Sequence, residues 1–131
     1  MAIEYHISLE HDLLIAHASG VVTADNFIAV LNDLVPSTGG AALMKNVLIT
    51  FDKRTAFHEL DFAALQRIKD CITRWNETYP GRSVRTALVM EEGAGSSLFQ
   101  LWQAMADAYP IGTQVRIFQS TDPALVWLKE R

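Results

Sequence analysis

The opening of the chain alternates between apolar and polar side chains, with Ile3, Tyr5, Ile7 and Leu9 on one side and Glu4, His6, Ser8 and Glu10 on the other. A period of two marks a strand with one face buried. His11 and Asp12 interrupt it, and Leu13 to Ser19 reads as a second strand returning antiparallel. A loop centred between His11 and Asp12 sets Tyr5 opposite Ala18, Ile7 opposite Ala16 and Leu9 opposite Leu14, so the two apolar sets coincide. After Gly20 the period becomes helical, because Phe27, Val30, Leu31, Leu34 and Val35 share one helix face. Thr23 is the natural N-cap, Asp25 suits the first turn, and the run from Pro36 to Gly40 predicts the helix end.

Asn46 to Phe51 is short and almost wholly apolar, as a central parallel strand buried on both faces would be. From Asp61 a longer helix carries Phe62, Leu65, Ile68, Ile72, Trp75 and Tyr79 on one stripe and stops at Pro80-Gly81. Thr86 to Met90 repeats the buried-strand pattern. The segment Glu91 to Ser96 then leads into a helix with Leu98, Leu101, Trp102, Met105 and Tyr109 facing inward, ended by Pro110 and Gly112. Val115 to Phe118 is the last strand. Thr121 caps a short final helix that tolerates Pro123 in its first turn and packs through Leu125, Trp127 and Leu128. The order β-β-α-β-α-β-α-β-α predicts an α/β fold: a mostly parallel five-stranded sheet with an antiparallel N-terminal edge strand and helices packed on it.

Composition narrows this picture. The length, 131 residues with half of them apolar, suits a single domain over 1–131 with one sizeable core. A net charge of -4 argues against holding nucleic acid through phosphate contacts. Seven of the eleven basic residues fall between Asp52 and Arg85, a mild asymmetry that mixed helix surfaces explain as well as a binding patch does. Cys71 is the only cysteine, so no disulfide framework exists and a reducing, cytoplasmic setting is expected. The N-terminal residues lack the pattern of a secretory signal, and no apolar run is long enough to span a membrane.

The strand and helix order, Gly20-Val21-Val22-Thr23 after the second strand, the strand ending Phe51-Asp52, and the closing stretch from Val115 to Leu128 together resemble the SpoIIAA-like (STAS-like, CRAL-TRIO-like) family. The resemblance covers nearly the whole chain, through structural motifs. It implies a β/α superhelix and a role in protein interaction or regulation, with lipid-binding folds as neighbours. In STAS antagonists of anti-sigma factors a serine at the start of the helix after the third strand is phosphorylated. Here that stretch is Asp61-Phe62-Ala63-Ala64-Leu65, which keeps the aspartate and lacks the hydroxyl. Thr55, in the preceding loop, is the nearest substitute.

The chemistry-bearing residues gather in few places. His58 and Glu59, close to Asp52, Lys53 and Arg54, form the densest polar cluster, which suits either general acid/base work or a solvated loop ahead of a helix. His6 and His17 fall opposite each other in the predicted hairpin, but no metal-binding spacing supports them as ligands. The glycines between Glu91 and Ser97 precede a helix without a Walker ending, and Glu91-Glu92 would repel phosphate. Trp75, Trp102 and Trp127 each lie on the apolar stripe of a different helix, as core residues or as the lining of an apolar pocket.

Parallel strands send their following loops to one edge, so Gly20 to Thr23, Asp52 to Glu59, Glu91 to Ser97 and Gln119 to Asp122 should converge there. Asp52, Arg54, His58, Glu59 and Ser96 are the candidate ligand- or partner-binding residues. No metal, cofactor or catalytic set is expected. The leading expectation is a non-enzymatic interaction or regulatory domain without the phosphorylatable serine, binding a protein partner. The alternative is a carrier or sensor of a small apolar or amphiphilic ligand, and the third is a hydrolase or transferase using His58. An exposed sheet edge also predicts a homodimer.

Overall fold

The computed structural model describes residues 3–38, 45–78, 84–90, 100, 102–104 and 113–130. Its strands are β1 (Ile3–Ser8), β2 (Leu13–Ala18), β3 (Asn46–Phe51), β4 (Val84–Val89) and β5 (Thr113–Phe118). The helices bounded among the described residues are α1 (Ala24–Thr38), α2 (Phe62–Thr78) and α3 (Thr121–Lys129), and residues 102–104 are helical as well. The sheet runs β1-β2-β3-β4-β5, antiparallel between β1 and β2 and parallel thereafter. The expected α/β class, strand number and antiparallel edge are all present. None of the helices is long and apolar enough to cross a membrane, among the described residues.

Strand order follows sequence order without reversal. Right-handed crossovers that always step the same way leave their helices on one face of the sheet. Thus α1 and α2 share a core with Ile3, Leu14, Ala16, Ala18, Leu88 and Val115. The other face carries a smaller core in which Leu13, Leu48 and Ala87 meet Ala124, Trp127 and Leu128 of α3. Period-two alternation along β2 therefore feeds two different helix layers: Leu14 and Ala16 go to one, Leu13 and Ile15 to the other.

Several local expectations change. The hairpin pairs Ile3 with Ala18, Tyr5 with Ala16 and Ile7 with Leu14, two residues away from the predicted register. A shift of two keeps every side chain on its own face, so the apolar pattern cannot decide between the two registers. The turn decides: Leu9 to Asp12 form it, Asp12 takes the left-handed conformation (φ 54°) that aspartate tolerates, and the His11 N–H donates to Ser8 Oγ at 3.2 Å. Leu9 consequently leaves the core and is 91% exposed.

Helix α1 ends at Thr38, inside the predicted run Pro36 to Gly40, but it continues past Pro36 itself. Proline's fixed φ is itself helical, and its missing N–H costs one backbone hydrogen bond. Phe62, placed on the buried stripe of α2, is half exposed; Ala64, Leu65, Ile68, Cys71 and Ile72 form the buried stripe. In β3 only Leu48 is fully buried, because α3 covers its face while Val47 and Ile49 border a cavity on the other. The N-cap of α3 is Ser120, so Thr121 is its first helical residue. Gly39 and Gly40, Pro80 and Gly81, the connection from Glu91 to Ser97 and the helix end at Pro110 to Gly112 lie outside the described residues.

Candidate functional site

Two of the four predicted loops do converge. Parallel pairing continues past the ends of β2 and β3, where Ala56 N–H donates to Gly20 O (2.8 Å), Val22 N–H donates to Ala56 O (3.1 Å), and Val21 and Ala56 form an isolated bridge. Gly20 has φ +70°, a turn that a side chain would strain. Asp52 builds the start of its loop: its N–H donates to Ala18 O (2.9 Å) and its Oδ1 accepts from Arg54 N (2.8 Å). Thr55 is the buried polar residue of this loop, and its hydroxyl donates to Ala18 O at 3.2 Å. The hydroxyl nearest to the missing serine, which reads in the sequence as solvated, is a structural tie.

Of the five candidates, Asp52, Arg54, His58 and Glu59 are exposed on one loop, and Ser96 lies outside the described residues. His58 Nε2 stands 3.6 Å from Glu59 Oε1, with both side chains more than half exposed. Water reaches the pair from several sides, so it has none of the enclosure that makes an acid/base couple effective. Glu59 alone of the set borders a polar cleft of about 280 Å³, together with Thr23, Asp25, Asp61 and Arg67. The N-termini of α1 and α2 meet there. Both are already capped from within: Thr23 Oγ1 accepts from Asn26 N (3.2 Å) while Asn26 Oδ1 accepts from Thr23 N (2.9 Å), and Asp61 Oδ1 accepts from Ala64 N (2.8 Å). Arg67 pairs with Asp25 at 2.5 Å, which leaves the cleft with a surplus of carboxylates.

The histidine pair predicted across the hairpin is absent. The shifted register sets His17 opposite Glu4 and His6 opposite Ile15, and His17 Nδ1 instead lies 2.7 Å from Thr50 Oγ1. Among the described residues no group of three His, Cys, Asp or Glu side chains could hold a metal ion.

A second feature is apolar. A cavity of about 120 Å³ lies between the sheet and the α1–α2 layer. The sheet supplies Leu14, Ala16, Val47, Ile49, Thr86 and Leu88, α1 supplies Phe27, Val30, Leu31 and Leu34, and α2 supplies Leu65, Ile68 and Ile72. Trp102 lines it from the helical segment 102–104 and is buried. The three tryptophans thus divide: Trp102 borders the cavity, Trp75 packs half-buried against the same core, and Trp127 belongs to the opposite face. Sequence pattern names most of these residues as core positions but gives no sign of the space among them, except that Ala16 is small where its row neighbours Tyr5 and Ile49 are large. No family model, curated protein or solved structure matches the chain.

Proposed function

We propose that this chain is a non-enzymatic binding domain that carries or senses a small apolar or amphiphilic ligand, held between the sheet and the α1–α2 layer. The cavity carries the reading. Protein interiors pack as densely as organic crystals, and an unfilled space of 120 Å³ costs about 3 kcal/mol at the rate seen in core truncations. A ligand that fills it returns that energy as affinity. Mass spectrometry of the organic extract of freshly purified protein should recover one small molecule in near-stoichiometric amount. The Leu31→Trp variant, whose added bulk occupies the cavity, should yield none. Equal recovery from both proteins, or nothing from either, rejects the reading.

A second reading, a STAS-like interaction or regulatory domain in the cytoplasm, draws support from the loop edge. There Val21 and Phe62 are exposed apolar residues (47% and 52%) near the charged run Asp52 to Arg54 and His58-Glu59. The unreversed strand order with α1 and α2 on one face is also what a SpoIIAA-like superhelix would require. On this reading the partner is a protein, or a second copy joined at an open sheet edge. The serine switch plays no part, since Phe62 and Ala63 stand at its position. A purified partner that binds wild type and equally binds the Arg54→Ala/His58→Ala double variant would move the interaction away from this loop. A strictly monomeric mass in light scattering at high concentration would remove the homodimer.

A further inference from the structure

We infer that the cavity selects a neutral ligand of about the size of one aromatic ring, bearing a single hydrogen-bonding group that Thr86 receives. The inference rests on the ligand-binding reading and deepens it. Three observations lead to it. The first is size: apolar cavities of roughly 150 Å³ take up benzene, so a space of about 120 Å³ suits a molecule of about one ring and is far too small to enclose a long acyl chain.

The second is charge. Among the described residues no lysine, arginine, histidine, aspartate or glutamate lines the space. An anion entering it would shed its water and meet no counter-charge, which is prohibitive in an apolar site. Carboxylates are therefore excluded, whereas an uncharged hydroxyl or carbonyl is admissible if one partner waits for it.

The third is where that partner sits. All but two of the described lining side chains are hydrocarbon; Thr86 brings a hydroxyl and Trp102 an indole N–H. Thr86 stands in the interior strand β4, between Val47 of β3 and Val115 of β5, on the sheet side of the cavity. A hydroxyl donates one hydrogen bond and accepts two, so it can serve a ligand in addition to a protein partner. Indole can only donate. Thr86 can thus accept a hydrogen bond from a buried ligand hydroxyl while keeping its protein partner, which the indole cannot do.

Phenol, toluene and benzoate separate the possibilities, since phenol and toluene share a size and differ by the hydroxyl. Titration followed by protein NMR or calorimetry should show phenol binding more tightly than toluene, with benzoate failing to bind. Thr86→Val keeps the shape and should weaken phenol about 3- to 10-fold, the worth of one hydrogen bond, while leaving toluene unchanged. Thr86→Ser, which keeps the hydroxyl, should restore most of the phenol affinity and shows whether the valine variant acts through the hydrogen bond or through packing. Toluene binding with phenol indifferent to Thr86→Val, or benzoate binding as well as phenol, overturns the inference alone. Neither toluene nor phenol binding overturns the ligand reading and the inference with it.

Discussion

Thr55 and its neighbour Arg54 differ in what surrounds them. Thr55 is 8% exposed, and its hydroxyl reaches Ala18 O, which also accepts the Asp52 N–H, so one carbonyl at the end of β2 fixes the loop after β3. Thr55→Val should cost about 1 to 2 kcal/mol in urea unfolding, because the buried carbonyl loses a partner. Arg54→Ala and His58→Ala remove exposed side chains and should each change stability by less than about 0.5 kcal/mol. A large loss in either would make these residues structural. The contrast is invisible in the sequence: Thr55 follows Asp52-Lys53-Arg54 and reads as solvated, and only a bond across 37 positions of chain reveals that it is not. Exposure of the charged neighbours, by contrast, follows from their chemistry alone.

Among the elements, α3 shows how a short helix is secured. Its Trp127 ring lies under the guanidinium groups of Arg85 (5.5 Å) and Arg116 (4.9 Å) and is tilted against Phe118 at 5.8 Å. Arg85 also donates to Trp127 O at 2.7 Å, close to the C-terminal end of the helix, where cations are favoured. Trp127→Ala should cost about 3 to 5 kcal/mol, read from the urea midpoint at an unchanged slope. At the other layer, Thr23→Ala breaks the reciprocal cap with Asn26 and should cost about 1 kcal/mol. Sequence anticipated these elements unevenly. Asn46–Phe51 was readable to the residue because an apolar run between polar breaks has only one place to sit in a sheet. The hairpin register was not, because the alternation repeats every two residues and the turn geometry chose between equivalent solutions.

Across the whole molecule, the mostly parallel five-stranded sheet with its antiparallel edge was legible in outline, whereas the face on which α3 packs was not, because no later strand makes it part of a crossover. The cavity was not. It is a shortfall of packing among residues that all look like ordinary core, and no periodicity encodes a missing contact. Its energetic consequence can be measured: Ala16→Val adds apolar volume at the cavity wall and suits a strand, so it should raise the thermal midpoint by the equivalent of about 0.5 to 2 kcal/mol while lowering toluene affinity. A lowered midpoint would mean that the space is shaped by strain that an added side chain cannot relieve.

The unreversed strand order has a bearing on how the chain reaches this state during synthesis. Each strand pairs with the one made just before it, so every newly emerged strand finds its docking edge already built, and no strand must wait for a distant partner. The exception is α3, which crosses to the opposite face. Leu128 O there accepts from Asn46 Nδ2 at 2.8 Å, across 82 positions, and Asn46 Oδ1 in turn accepts from Arg85 N. Assembly can thus proceed strand by strand in the order of translation, with α3 closing last as a clasp over β3 and β4.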